Sequence, residues 1–586
     1  MTRHAMRTSQ QPYFLLGALA CAVVATVVYL PALAGEFVWD DANALRQSAE
    51  IRSLRDVIVP PPVIPQFYYR PVVFLSYIFD SAVAGINNPY WFHVSSILLH
   101  VVNTLLVLTL ARRWFSDDVI VAAGGALLFA VFPTHVESVV WLSGRSDLLV
   151  TTFLLIAALL HLSSRPAMTW LGAGALLLAL LSKETAVAAV ILFPLLDWAQ
   201  GRRLLSARVV PPIAATVVYF ALRKVGVGAF LGGLAQEQGA LDLGFDTVHA
   251  FGFYIVQAFL PVSLQPYYAD VPTSPAYLAI GLLAPVAVAT IIVMQRRPAG
   301  TAAKRAAMLA LLLWFVLTLA PGLYVIIRRS ALNLMADRYL YVPSVASCVA
   351  LAWMIASAAR ATGAKAAGEV IAICVAALFF ATQTLVYIPV WADDVSLWTE
   401  AAKKEPDAAL PQRELATAFL VRGNIEEAET AFRAALDRTP DLEGQVMIYS
   451  NLGNLYRRKS QYALAVDSFR KGIAIMPHPS LFHNLGMTEM ALAQRASMAN
   501  EPDLASVHVR EARIALERAL QMAATPGTDE AFFQWEPAKT HALLGQVLFS
   551  LGDRDGAQRH LDEALRLAPT GPVADMTRQY LQKVMR

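Results

Sequence analysis

Apolar residues fill the first two thirds of this chain in runs too long and too evenly apolar to be the stripe of a surface helix, and polar residues are confined to short intervals between them. About twelve runs qualify as candidate membrane crossings, from Tyr13–Ala34 to Val370–Val390. From about Val395 the pattern changes to charged, alanine-rich segments with a recurring arrangement. The pattern predicts an all-α chain: a polytopic helical membrane domain over residues 1–394, then a soluble helical repeat domain over residues 395–586.

The repeat signal is specific. Pro406 and Pro440 stand about 34 positions apart, the tetratricopeptide period, and Leu415, Ala416, Phe419, Gly423, Ala428, Phe432 and Ala435 take the signature positions between them. A second unit carries Leu452-Gly453, Tyr456, Ala465, Phe469 and Pro477. A third begins at Leu485-Gly486 and resumes at Ala512, Leu516, Ala519 and Pro526 after an insertion between its helices. A fourth carries Leu544-Gly545, Ala557, Leu561 and Pro569. Trp398 and Pro406 read as the end of an incomplete leading unit. Such stacks bind peptides or protein surfaces, so the repeats are expected to recruit a protein partner.

Charge then constrains the membrane part. Basic residues cluster at Arg3/Arg7, Arg112-Arg113, Arg165, Arg202-Arg203/Arg208, Arg296-Arg297/Lys304-Arg305 and Arg360/Lys365, and short loops with such clusters belong in the cytoplasm. Twelve crossings cannot satisfy all of them; about eleven can, if Val248–Leu260 lies at the interface or re-enters. Fusing Thr169–Trp198 into one span also gives about eleven, but strands Arg202, Arg203 and Arg208 outside. The first solution puts the N-terminus in the cytoplasm and the repeats on the far side of the membrane. Tyr13–Ala34, about 22 residues, is longer than the apolar region of a secretory signal and reads as a retained first helix.

Composition agrees with a membrane protein: 57% of the 586 residues are hydrophobic and 16% charged, and the mean hydropathy is +0.50. A net charge of +3 with no basic arm argues against a nucleic-acid partner. Three cysteines inside apolar runs support neither a disulfide framework nor a thiolate metal site.

The same topology gathers the remaining polar clusters on the outer face: Asp40/Asp41, Arg70, His135/Glu137, Arg145/Asp147, Lys183-Glu184 and Asp337-Arg338. Each has an ordinary alternative, as a helix cap or an interfacial ion pair. Together they supply what an inverting sugar transfer needs, a carboxylate to take a proton from the acceptor hydroxyl and cations where the leaving phosphate accumulates charge. Asp40 or Asp41 is the expected base, with Asp40 narrowly favoured. Arg70 and Arg338 are the expected phosphate contacts, because a guanidinium grips two oxygens at once. Asp40/Asp41 with His135 or Glu137 could also hold a divalent ion.

At Phe37-Val38-Trp39-Asp40-Asp41, Tyr69-Arg70-Pro71, Pro133-Thr134-His135-Val136-Glu137, Gly144-Arg145-Ser146-Asp147-Leu148, Lys183-Glu184 and Asp337-Arg338-Tyr339-Leu340-Tyr341-Val342-Pro343-Ser344, followed by the repeats, the chain resembles the transmembrane and tetratricopeptide-repeat O-mannosyltransferase family. These are polytopic glycosyltransferases of the GT-C type. The family usually has Glu where this chain has Asp337. The resemblance implies a bacterial inner-membrane enzyme that moves a hexose, mannose in the eukaryotic members, from a polyprenyl-phosphate donor to a Ser/Thr hydroxyl of an extracytoplasmic protein. It implies substrate-binding roles for Arg70, His135, Glu137, Arg145, Lys183, Asp337, Arg338 and Tyr341. A non-catalytic scaffold and a lipid-linked glycan ligase or polymerase are the competing readings.

Overall fold

A computed structural model describes residues 3–61, 68–115, 118–228, 240–294, 302–328, 333–439, 442–523 and 535–584; Pro440, Pro526, Arg296 and Arg297 lie outside them. Every regular element among the described residues is helical. The chain divides into two compact units, Met1–Glu405 and Pro406–Arg586.

Among the described residues of the first unit, seven helices are long and apolar enough to cross a bilayer: Gln11–Ala34, Pro89–Trp114, Leu142–His161, Ala207–Val227, Ala306–Ile327, Ser344–Ala361 and Ala366–Trp391. An eighth crossing is made if the pair Val119–Ala130 and Pro133–Val140, bent by 46°, counts as one. These helices make the chain a multi-pass membrane protein. Against an expectation of about eleven crossings, Pro71–Ala84 and Pro166–Ser182 are shorter apolar helices, and Pro275–Met294 is a further apolar helix of 20 residues. Pro166–Ser182, 17 residues, spans about 25 Å, less than the ~30 Å hydrocarbon core.

Local sequence explains the breaks. Pro133 lacks an N–H and biases Phe132 toward extended backbone, which is where the bent pair parts. Before that break, Gly124 and Gly125 let neighbouring helices close in. A Cβ on Gly125 would stand 2.8 Å from Val349 Cγ2, and one on Gly124 2.8 Å from Ile373 Cδ1. Pro166–Ser182 ends where Lys183 turns extended, φ −159° and ψ 132°. Pro71–Ala84 escapes the hydropathy reading because Asp80 interrupts its apolar run. Pro71 starts this helix, and Val73, Tyr77 and Asp80 share its buried face.

The second unit is a stack of antiparallel helix pairs, as its period predicts. The glycine of each Leu-Gly step is where the two helices of a pair touch. A Cβ on Gly453, Gly486 or Gly545 would lie 2.5 Å from Phe469, 2.7 Å from Leu516 or 2.6 Å from Leu561 respectively. The insertion expected between the helices of the third unit instead lengthens both, to Pro479–Met498 and Pro502–Ala523. Asp394–Lys404, which carries Trp398 and which composition groups with the repeats, belongs to the first unit.

Candidate active site

The first crossing ends in a 3-10 turn, and a short loop from Gly35 delivers Asp40 and Asp41 to the start of the helix Asp41–Ala49. The two acids diverge. Asp41 is buried and saturated: Oδ2 accepts from Val38 N–H at 3.1 Å, and Oδ1 accepts from Ser143 N–H at 2.9 Å and Ser143 Oγ at 3.0 Å. It therefore ties the loop to the turn Leu142–Gly144. Burial raises its carboxyl to about 8, Asp40's charge adds to the rise, and the three donors oppose it.

Asp40 stands at the N-cap position yet makes no capping bond with its side chain, so the helix does not account for it. Solvent reaches it although protein rings it on most sides, and that desolvation raises its carboxyl. Ser143, the Arg338 guanidinium and Trp141 pull the other way.

Three cations lie around the same loops, each held by a carboxylate. Arg70 grips Glu184 with two prongs, Nε to Oε2 at 3.1 Å and Nη2 to Oε1 at 2.7 Å, and rests 4.2 Å over the Tyr68 ring. Burial opposes the Glu184 charge, but Arg70 prevails and holds it down at about 2. Lys183 donates to Asp147 Oδ1 at 2.6 Å; burial lowers its ammonium, and the nearby Arg70 and Arg338 charges push the same way. Arg338 donates its backbone N–H to Glu137 Oε2 at 2.8 Å and its guanidinium to Oε1, and lies 4.9 Å over the Trp141 ring. Arg70 and Arg338 keep partly open side chains, 19% and 16% exposed, so each can present a remaining N–H edge to an anion.

Other expected site residues are placed elsewhere. Arg145 does not pair with Asp147. It is fully buried against Asp80, Ser95, Ser96 and the Phe92 carbonyl, an ion pair inside the protein and not a ligand contact. His135 is fully buried, 2.7 Å from Ser344 Oγ through Nε2 and packed on Phe129, Phe132 and Tyr341. Tyr341 is buried with it, its hydroxyl shared by His100 Nδ1 at 2.8 Å and Asn103 Nδ2 at 3.2 Å. Asp337 accepts from Tyr268 OH at 2.7 Å and Gln265 N–H at 3.3 Å, so it braces the 263–268 segment. Burial, with Glu137's charge added, holds its carboxyl well above the usual range.

The groups named for a divalent ion, Asp40/Asp41 with His135 or Glu137, are mostly engaged by other partners. His135 meets Ser344 through Nε2, both Glu137 oxygens meet Arg338, and among the described residues no three His, Cys, Asp or Glu side chains converge for a metal. Asp80, Trp141 and Ser143, which line these contacts, are not among the residues the sequence motifs single out. Asp80 had a usable signal, a lone carboxylate in an apolar run that must find a cation; Ser143 had none.

Tetratricopeptide-repeat models match residues 407–478 and 538–570. Among curated proteins, the chain is 33% identical over 203 residues to protein O-mannosyl-transferase Tmtc2 of Drosophila melanogaster, covering 31% of this chain and 22% of that protein. It is 34% identical over 200 residues to Tmtc1 of the same organism, covering 31% and 23%. It is 28% identical over 184 residues to human TMTC2, covering 27% and 21%. The matched stretches thus span less than a quarter of these relatives.

Proposed function

From its homology to the transmembrane and tetratricopeptide-repeat O-mannosyltransferases, we propose that this chain is a membrane glycosyltransferase that moves a hexose from a polyprenyl phosphate to a Ser or Thr hydroxyl of a protein. The observation that carries the reading is Asp40: an open carboxylate in the field of Arg338 that does not cap the helix it precedes. In the proposed step the acceptor oxygen attacks the anomeric carbon, its proton passes to Asp40, and the carbon–oxygen bond to phosphate breaks with the electron pair leaving on phosphate. Arg70 and Arg338 meet the charge that develops there. Asp41 and Ser143 hold the loop. No step is assigned to a metal.

The basic loops support an N-terminus in the cytoplasm with Asp40 and the repeats on the opposite side, which we take to be the periplasmic side of a bacterial inner membrane. Reporter fusions at Gly201 and Gly363 are expected to read cytoplasm and one after Asp394 periplasm; a cytoplasmic signal after Asp394 ends the topology. The acceptor protein is taken to be recruited by the repeats. Activity is tested in membranes with a polyprenyl-phosphate hexose and a Ser/Thr peptide. Wild-type transfer by the Asp40→Asn protein at normal expression would overturn Asp40 as the base, whereas no transfer by the wild-type protein would leave a non-catalytic scaffold as the better reading.

A further inference from the structure

The loop that carries Asp40 is held from a distant part of the chain. Trp39 has φ +57°, a left-handed backbone that a bulky side chain adopts only when its surroundings over-determine it. Its N–H donates to Asp394 Oδ1 at 2.7 Å, and its indole takes an edge contact from Trp398, ring centroids 5.1 Å apart at 75°. Three residues earlier, the Glu36 N–H donates to the Ala392 carbonyl at 2.8 Å. The Trp39 ring is also stacked on Trp141 at 5.0 Å and 15°, and Trp141 in turn supports the Arg338 guanidinium and touches Trp391. Trp391 and Trp398 are buried, so this is a packed stack and not a surface contact.

We infer that Asp394 and Trp398, on the helix Asp394–Lys404, are positioning residues for the transfer, acting through Trp39 to fix Asp40 and through Trp141 to fix Arg338. Asp394 also opens its helix, but the N-cap is the preceding Asp393, whose side chain accepts from Ser396 N–H; the Asp394 oxygen on Trp39 is not part of that cap. Without the Asp394 acceptor, Trp39 N–H loses its partner and the left-handed turn loses the bond that offsets its strain. The peptide then relaxes, and Asp40, the next residue, swings with it. A loss of alignment of this kind lowers turnover more than donor affinity, because a base within reach of the acceptor proton is needed only in the transition state.

The inference rests on the proposed role of Asp40. The experiment therefore runs Asp394→Ala, Asp394→Asn, Trp398→Ala, Trp398→Phe and Asp40→Asn in parallel in the full chain, measuring kcat, the KM for the polyprenyl-phosphate hexose, and thermal stability in detergent. Asp394→Ala and Trp398→Ala are expected to lower kcat at least tenfold with the donor KM within about twofold. Asp394→Asn keeps an acceptor oxygen and Trp398→Phe keeps a ring edge, so each should recover most of the lost turnover. If Asp40→Asn is inactive while Asp394→Ala and Trp398→Ala turn over like wild type, the positioning role is overturned and the base stands. If Asp40→Asn is fully active, the base assignment itself has failed. A fall in thermal stability with kcat unchanged marks Asp394 and Trp398 as structural only and also overturns the inference.

Discussion

The two ends of the helix Arg145–His161 carry opposite arrangements of charge. At its C-terminal end one buried carboxylate, Asp197, accepts from His161 Nε2 at 3.2 Å, Arg202 at 2.7 Å and Arg208 at 2.9 Å. The same arginines, with Arg113, also donate to the last carbonyls of the helix, at His161 and Leu162. Cations there outnumber the acid and face the negative end of the helix dipole, so the cluster works as a clasp. At the N-terminal end the acids are in excess: Glu137, Asp147 and Glu184 each neutralise a cation, Asp41 is satisfied by neutral donors, and Asp40 is left open. A buried carboxylate is inert when cations and N–H groups saturate it. It becomes available for chemistry when a neighbour has already taken them.

The difference predicts a hierarchy of effects. Asp40→Asn keeps shape but not basicity and is expected to lower the transfer rate about 10²-fold or more with little change in melting temperature, read by peptide glycosylation in membranes. Asp197→Asn should do the reverse, leaving transfer near wild type at permissive temperature while the solubilised protein loses about 3 kcal/mol as its arginines are left half-partnered. Equal loss of activity in both variants would erase the distinction between the two helix ends. Arg338→Lys retains charge but not the fork, so its rate loss should fall short of that of Arg338→Ala; the opposite order would mean that the guanidinium is not gripping phosphate.

A finer test uses pH. The unfolded chain releases the Asp41 proton near pH ~4, whereas the folded protein keeps it to about 8. Folding therefore takes up a proton between those values, and stability falls as pH rises through that window. Melting temperatures from pH 5 to 8 should decline in the wild type and decline less steeply in Asp41→Asn, where the raised carboxyls of Asp40 and Asp337 still contribute. In the repeats, Gly453→Ala would press a Cβ to 2.5 Å from Phe469 and should destabilise the isolated Pro406–Arg586 unit by about 1–3 kcal/mol, measured by thermal melting.

Sequence alone determined the class of the molecule, because hydropathy runs and a repeat period are one-dimensional properties: apolar helices up to Val390, a helical stack after Pro406, and the motifs around Asp40, Arg70, Glu137, Lys183 and Arg338. It also marked acids and bases in separate loops as one set, through the positive-inside rule. Which of them meet was decided only by tertiary packing. Arg145 and Asp147, two residues apart in one motif, turn to different partners, Asp80 and Lys183, because positions i and i+2 of a helix point about 200° apart, to nearly opposite sides. His135, in the same motif as Glu137, points into a buried aromatic cluster while Glu137 reaches Arg338. Trp39 and Asp394 lie 355 residues apart, and no periodicity links them. A local pattern encodes which face of an element is apolar, but side-chain partners are set by whichever elements the fold brings alongside, and those contacts belong to three dimensions.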